Sequence, residues 1–168
     1  MKLTYLKSAS VLVEDRGVSV LCDPWLVDGE YYGSWAHYPP CDIATESFDH
    51  VDFIYIAHIH PDHFSRKTLQ RISRKIPVLI HSYEQKFLKA GLERLGFTVT
   101  ELPHNTRTHL KGDLHITILA ADKGKPEAGG RFLGCAPLEK GYGSTQIDSL
   151  MVLGKGKKTI VDVNDCPY

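Results

Sequence analysis

The chain has 168 residues, which is enough for one domain, residues 1–168, to bury a hydrophobic core without disulfide crosslinks. Twenty basic side chains balance twenty acidic ones, so charge gives no reason to propose nucleic acid or an anionic membrane surface as a partner. No apolar run approaches the roughly 20 residues of a membrane span, and the first residues lack a signal-peptide pattern, so a cytoplasmic location is expected. The four cysteines form no Cys-x-x-Cys pair, which predicts reduced thiols and no structural zinc ribbon.

The first part of the chain predicts a β-meander. Its three strands are expected over Leu3–Leu6, Ser10–Val13 and Val18–Cys22, with turn chemistry at Glu14–Gly17 before the third strand. That third strand must end near Pro24, because proline has no N–H to donate to a neighbouring strand. Asp23 is therefore predicted at the end of a strand.

Residues 28–50 predict a long loop. They are rich in Gly, Pro, Tyr, Trp and His and show no helical or strand period. Loops of this length are uncommon in compact domains and often serve binding. Trp35 and His37, with Tyr31 and Tyr32, could line a substrate entrance; alternatively, these aromatic side chains pin the loop to the rest of the domain.

A cluster of metal-binding residue types follows the apolar run Val51–Ala57, which predicts a buried strand. The cluster is His58-Ile59-His60-Pro61-Asp62-His63. Imidazole and carboxylate are ligands for zinc and iron. His58 and His60 suit a first metal, while Asp62 and His63 suit a second, and two metals about 3.5–4 Å apart can share a bridging hydroxide. We therefore predict a metal centre.

Helices and strands are predicted to alternate after this cluster. Ser65 can cap a helix that buries Leu69, Ile72 and Ile76 and that ends at Pro77. The capping-box spacing of Ser82–Gln85 predicts a second helix, which Gly96 ends. Strands are expected over Pro77–Ile80, Phe97–Leu102, Leu114–Ala120, Ser149–Leu153 and Thr159–Val163, with a glycine-rich loop at 123–144.

The cluster after a buried strand resembles the hallmark of the metallo-β-lactamase superfamily, and the resemblance spans essentially the whole chain. It implies an α/β fold of the α+β type, a four-layer αββα sandwich, and metal-dependent hydrolysis. It also implies that Asp23 steadies the cluster through hydrogen bonds, that Asp165 bridges two metals, and that Asp62 is both a ligand and a proton shuttle. The implied cofactor is zinc, as one or two divalent ions, with iron or manganese as alternatives.

Two further segments resemble one particular branch of this superfamily. Cys22-Asp23-Pro24-Trp25 and Asn164-Asp165-Cys166 are similar to the branch that contains ascorbate-phosphate lactonase-type hydrolases and the non-Rieske part of CMP-N-acetylneuraminate hydroxylase. Three functions follow as alternatives. The first is a hydrolase that uses a metal-bound hydroxide on a small-molecule phosphoester, lactone or amide. The others are an iron-dependent oxidoreductase and a degenerate, non-catalytic metal-binding domain.

The chain departs from the family pattern at two points. The family places a histidine at the end of the strand that corresponds to Leu114–Ala121, where this chain has Asp122; either Asp122 replaces that ligand or His104, His109 or His115 does. The family's last metal-binding histidine lies beyond the position where this chain stops, at Tyr168. We therefore expect only the first half to two thirds of the sandwich, and a fragment, a truncated relative or a homo-oligomer that covers the exposed sheet.

Overall fold

The computed structural model describes residues 1–120 and 148–166. The chain divides into two compact units, Met1–Ile80 with Phe87–Thr100, and His81–Lys86 with the described residues from Glu101 onward. None of the helices in the described ranges has the length and apolar composition needed to cross a membrane.

A six-stranded sheet forms in the order β1-β2-β3-β4-β5-β6. Neighbouring strands from β1 to β3 are antiparallel, which confirms the predicted meander, whereas β4 runs parallel to both β3 and β5. Arg16 and Gly17 close the second hairpin with φ angles of 42° and 83°, as a two-residue turn of type I′ requires. The strand bounds are β1 Lys2–Lys7, β2 Ser10–Asp15, β3 Val18–Cys22, β4 Phe53–Tyr55, β5 Val78–His81 and β6 Val99–Leu102.

The helices are short. They are α1 Glu30–Gly33, α2 Arg66–Leu69 and α3 Phe87–Arg94, with a 3₁₀ turn at Thr45–Phe48. The prediction that α2 continues to Pro77 is wrong, although Leu69, Ile72 and Ile76 are buried as expected. Side chains form hydrogen bonds with backbone groups that would pair with one another in a longer helix. Asp49 accepts from the Ser73 N–H at 2.7 Å, and Arg74 donates to the carbonyls of Leu69 and Ile72.

The helix α3 begins later than its capping-box signal predicts. Ser82 does not cap it, because the Ser82 N–H donates to the Leu102 carbonyl at 2.8 Å and so continues the pairing between the ends of β5 and β6. The helix starts at Phe87. Gly96, with φ +90°, has the left-handed conformation that was predicted to end it.

A four-stranded antiparallel sheet forms in the order β10-β9-β8-β7. Its strands are β7 Thr108–His109, β8 His115–Ala120, β9 Ser149–Lys155 and β10 Lys158–Asp162. Along β8, Ile116, Ile118 and Ala120 are buried while the residues between them are partly exposed, as alternation in a strand requires. The last three of these strands were predicted, and β7 was not. The predicted loop at 123–144 lies outside the described residues.

Candidate metal centre

The histidine cluster lies in a tight turn directly after β4. The Ile56 N–H still donates to Leu79 O, so the chain keeps its place beside β5 up to that residue. The backbone then folds back, because the N–H groups of His63 and Phe64 both donate to His60 O at 3.0 and 2.7 Å. A rigid sheet therefore supports the cluster on one side, and the turn brings its imidazoles together.

Three imidazoles of the cluster meet in this turn. His58 Nε2 lies 3.0 Å from His60 Nδ1, and the rings of His58 and His63 contact each other at a tilt of 42°, with centroids 4.0 Å apart. Two nitrogens bound to one tetrahedral zinc at about 2.0–2.1 Å lie roughly 3.3 Å from each other. The donor set and its spacing therefore fit a divalent ion. His58 and His63 are buried, whereas His60 is partly exposed.

Asp23 holds the cluster from the end of β3. Its Oδ1 accepts from the Ala57 N–H at 2.7 Å, and its Oδ2 lies 2.9 Å from His63 Nδ1. Because a carboxylate can only accept, this contact places the His63 proton on Nδ1 and leaves Nε2 as the nitrogen that can bind a metal. Asp23 is fully buried and has φ 41°, a conformation that aspartate tolerates better than most residues.

Asp62 lies between the cluster and the loop that follows β3. Its Oδ1 accepts from the Tyr31 hydroxyl at 2.8 Å, and its Oδ2 is 3.5 Å from His63 Nε2. The carboxylate is 15% exposed, which leaves it accessible for proton transfer. The contact from Tyr31 was not predicted, because 31 positions separate the two residues and no local pattern links them.

The aromatic loop candidates pack on one another. The Trp35 ring contacts Tyr31 and Trp25, with centroid distances of 4.3 and 6.2 Å, and the tilted ring of His37 packs on Trp25 at 4.1 Å. His37 also bonds Asp28 through both its backbone N–H and its Nδ1, which lowers the pKa of the Asp28 carboxyl. The loop is thus attached through Trp25, as one of the two alternatives expected, and Trp35 keeps 47% of its surface exposed.

One further predicted site residue in the described ranges, Asp165, belongs to the second unit. Asp165 is exposed in the turn after β10, and the neighbouring Cys166 is buried. Burial and the nearby Asp148 carboxylate raise the pKa of the Cys166 thiol to about 12. Asp122 lies outside the described residues.

Three histidines were the alternatives to Asp122. His104 accepts the Ala120 N–H at Nδ1, 3.1 Å, so a neutral His104 carries its proton on Nε2. His109 donates Nε2–H to Gly112 O at 2.6 Å, and its ring lies 5.4 Å from that of His115. Which residue completes the metal centre stays a prediction.

Relatives by sequence are named as an iron-sulfur protein and as a hydroxylase. A Mycolicibacterium smegmatis protein, provisionally named a Rieske 2Fe-2S iron-sulfur protein, is 35% identical over 126 residues, which cover 71% of this chain and 24% of that protein. Cytidine monophosphate-N-acetylneuraminic acid hydroxylase of Xenopus laevis is 37% identical over 79 residues, which cover 46% of this chain and 13% of that protein. The chain therefore spans about a quarter or less of the length of these relatives.

Solved structures with the same fold are named as hydrolases and as a hydroxylase. A possible metal-dependent hydrolase from Veillonella parvula superposes with a TM-score of 0.73 at 13% identity, over 99% of this chain and 63% of that one. Isothiocyanate hydrolase from Delia radicum gut bacteria gives 0.69 at 18% identity, over 96% and 61%. CmlA, a diiron β-hydroxylase from Streptomyces venezuelae, gives 0.63 at 22% identity, over 98% and 29%.

The family assignment rests on a match that covers most of the chain. The model of the β-lactamase superfamily domain matches residues 2–125, which include the β-meander, Asp23 and the whole histidine cluster. The mixed α/β architecture with two sheets agrees with the structural neighbours, as the sequence predicted. This chain belongs to the β-lactamase superfamily and has the metallo-β-lactamase fold.

Proposed function

We propose that this chain carries the metal centre of a metal-dependent hydrolase that acts on a small-molecule phosphoester, lactone or amide. One observation carries the proposal: His58 and His60 place two nitrogens 3.0 Å apart, and Asp23 accepts from Nδ1 of His63, so that Nε2 is its metal-binding nitrogen within the same turn. Zinc is the first candidate for the metal, with iron and manganese as alternatives.

Each predicted residue has a proposed role. His58 and His60 would hold a first ion, while Asp62 and His63 would serve a second, with Asp165 as the proposed bridging ligand. A bound divalent ion would supply an acidified water and polarise the substrate oxygen. Asp62 accepts a proton in the hydrolytic step, because it is the partly exposed carboxylate of the cluster.

The substrate side of the centre is proposed to include the loop after β3. Trp35 is the candidate for contact with the substrate, and His37, whose side chain is 4% exposed, is proposed to hold the loop in position. Trp35 offers a half-exposed aromatic ring, and the Asp28 carboxylate fixes the orientation of His37. This arrangement suits a small-molecule substrate, because an exposed aromatic ring offers a large apolar contact area and does not require the substrate to be charged.

Metal removal tests the proposal. The full chain is dialysed against a chelator and assayed with a phosphodiester, a lactone and an amide before and after zinc, manganese or iron is restored. We expect turnover of at least one substrate class, its loss on metal removal, and its recovery with one of the three ions. Turnover that survives in metal-free protein would contradict the proposal.

A second candidate is iron-dependent oxidation, which the sequence relatives favour. The hydroxylase and the Rieske-named protein are 37% and 35% identical to this chain over the matched residues, whereas the hydrolases compared are 13% and 18% identical. In this case the electrons would come from a separate protein or from a further domain of an iron-sulfur class. The same histidines would hold iron, since imidazole and carboxylate suit iron as well as zinc.

Metal identity separates the two candidates. Zinc is spectroscopically silent and redox-inert, while iron absorbs visible light and reacts with oxygen. Iron in the purified protein, with oxygen consumption when a reductant is added and no hydrolysis, would replace the hydrolase proposal with the oxidative one. A single ion per chain with neither activity would favour the non-catalytic alternative.

A further inference from the structure

The segment Gly29–Gly33 has an unusual backbone beside the histidine cluster. Gly29 and Gly33 have φ angles of 95° and 91°, and the two tyrosines between them, Tyr31 and Tyr32, have φ angles of 47° and 60°. Bulky non-glycine residues rarely adopt this left-handed conformation. Such strain persists only where surrounding contacts impose it, and these positions often serve a function.

The contacts that impose this backbone come from the helix next to the cluster. Lys67 Nζ donates to Gly29 O at 2.6 Å. Ser65, the N-cap of α2, donates from Oγ to the buried Glu30 Oε1 at 2.7 Å. Because α2 begins three residues after His63, these bonds connect the strained segment to the chain that forms the metal centre.

This backbone arrangement places the phenol of Tyr31 against the carboxylate of Asp62. Tyr31 donates from its hydroxyl to Asp62 Oδ1 at 2.8 Å, whereas Tyr32, next to it and equally strained, is fully exposed. The other oxygen of the same carboxylate, Oδ2, faces His63 Nε2 at 3.5 Å. The terminal torsion of aspartate is broad, so a bond to Oδ1 fixes which oxygen faces the ligand nitrogens.

We propose that Tyr31 is a positioning residue that sets the rotation of the Asp62 carboxylate for metal binding and proton transfer. This inference rests on the metal centre described under the proposed function. Tyr31 acts through Asp62 and needs no contact with the metal or the substrate. The backbone strain at Tyr31 is the structural cost of bringing a phenol from the loop after β3 to this carboxylate.

Cobalt(II) binding to the full 168-residue chain tests the inference without an assay of activity. Cobalt takes the place of zinc and absorbs in the visible range, so a titration reports both its affinity and its ligand geometry. Tyr31→Phe removes the hydroxyl and keeps the ring that packs on Trp35. We expect cobalt affinity to fall about 10-fold or more, as when other residues that orient metal ligands are changed, with an altered visible spectrum.

Two further variants act as controls. Tyr32→Phe removes the exposed hydroxyl next to it and should leave affinity and spectrum unchanged. Tyr31→Phe combined with Asp62→Ala should bind cobalt no more weakly than Asp62→Ala alone, because Tyr31 acts only through that carboxylate. Lys67→Met, which removes a contact that holds the segment, gives an independent variant with a smaller loss in the same direction.

The outcomes separate this inference from the proposed function. Equal affinity and spectrum in the natural chain and in folded Tyr31→Phe would overturn the role of Tyr31 and leave the metal centre standing. A further loss from Tyr31→Phe in the Asp62→Ala background would overturn it as well. If the natural chain itself binds no cobalt, the metal centre and the inference both fail. Unchanged cobalt binding in Lys67→Met decides against the inference if Tyr31→Phe does not fold.

Discussion

His63 Nδ1 and Asp23 Oδ2 lie 2.9 Å apart, and both side chains are buried. The other oxygen of the same carboxylate accepts from the Ala57 N–H at 2.7 Å. One carboxylate at the end of β3 therefore fixes both the start of the histidine cluster and the orientation of its last imidazole. A buried carboxylate that satisfies two donors in this way is a structural requirement of the cluster.

Asp23→Asn should weaken metal binding while it leaves the fold intact. The amide oxygen can still accept from Ala57, and asparagine tolerates the left-handed backbone at this position. The amide nitrogen, however, would donate to His63 Nδ1, which moves the imidazole proton to Nε2 and blocks the nitrogen that is proposed to bind metal. We expect metal affinity to fall about 10- to 100-fold, measured by cobalt titration.

Asp52→Asn is the matched control for this substitution. Asp52 lies just before β4 and accepts from the N–H and the hydroxyl of Ser19, at 2.9 and 3.2 Å. Asp52 lies at the end of β4 away from the cluster, so we expect the metal affinity of Asp52→Asn to equal that of the natural chain. If Asp23→Asn and Asp52→Asn bind metal equally well, the role given to the Asp23–His63 pair is wrong.

Gly91→Ala should destabilise the helix–cluster contact. A Cβ atom at Gly91 would lie 2.9 Å from two ring atoms of Phe64, the residue directly after His63. The clash costs about 1–3 kcal/mol, and the better helix propensity of alanine offsets up to about 1 kcal/mol of that cost. We expect the free energy of unfolding in urea to fall by about 1–2 kcal/mol.

Gly154→Ala provides the comparison for that measurement. Nothing lies within 4 Å of a Cβ atom built at Gly154, which is in β9, so its free energy of unfolding should change by less than about 0.5 kcal/mol. Equal stability of the two variants would show that the ring of Phe64 moves aside without cost.

Cys166 should resist alkylation in the folded chain. Its thiol is buried, and its pKa is raised to about 12 by burial and by the nearby Asp148 carboxylate. The thiol therefore stays protonated at pH 8, whereas Cys41 is only half-buried and should react first with iodoacetamide. Peptide mass spectrometry after timed labelling checks this order, and Cys166 labelled as fast as Cys41 would contradict it.

The same thiol contributes to the pH dependence of stability. An unfolded thiol loses its proton near pH 8.5, while the folded one holds its proton to about pH 12. The contribution is therefore complete below about pH 8.5 and is lost as the pH rises towards 12, because the unfolded state binds fewer protons in that range. Replacement of Cys166 by Ala should flatten this alkaline decline in urea unfolding.

The sequence was sufficient for those parts of the fold that local chemistry determines. Pro24 lacks a donor, and β3 ends at Cys22 as predicted; Gly96 has the left-handed conformation that ends α3. The histidine cluster was located for the same reason, since its spacing and the preceding buried run are contiguous in the chain. The early end of α2 was not predicted, because it depends on side chains outside the helix. Asp49 accepts from the Ser73 N–H and Arg74 donates to the Leu69 carbonyl, two groups that a longer helix would bond to each other.

The hydrogen bond between Tyr31 and Asp62 could not be predicted from the sequence. It depends on four residues with left-handed backbone, of which only Gly29 and Gly33 give a signal in the sequence, and on clamps from Ser65 and Lys67. Such contacts arise from the packing of distant segments, so no local period or propensity indicates them. Likewise, Ser82 has capping-box spacing but does not cap a helix, because its N–H donates to the Leu102 carbonyl.

The metal content of the chain, purified without added metal, tests the central claim most directly. His60→Ala removes a partly exposed, proposed ligand from the cluster, and His50→Ala removes an exposed histidine outside it. We predict at least one divalent ion per natural chain by elemental mass spectrometry, the same content in His50→Ala, and loss of the ion in His60→Ala. A natural chain without metal, or a folded His60→Ala variant with unchanged metal content, would contradict the account.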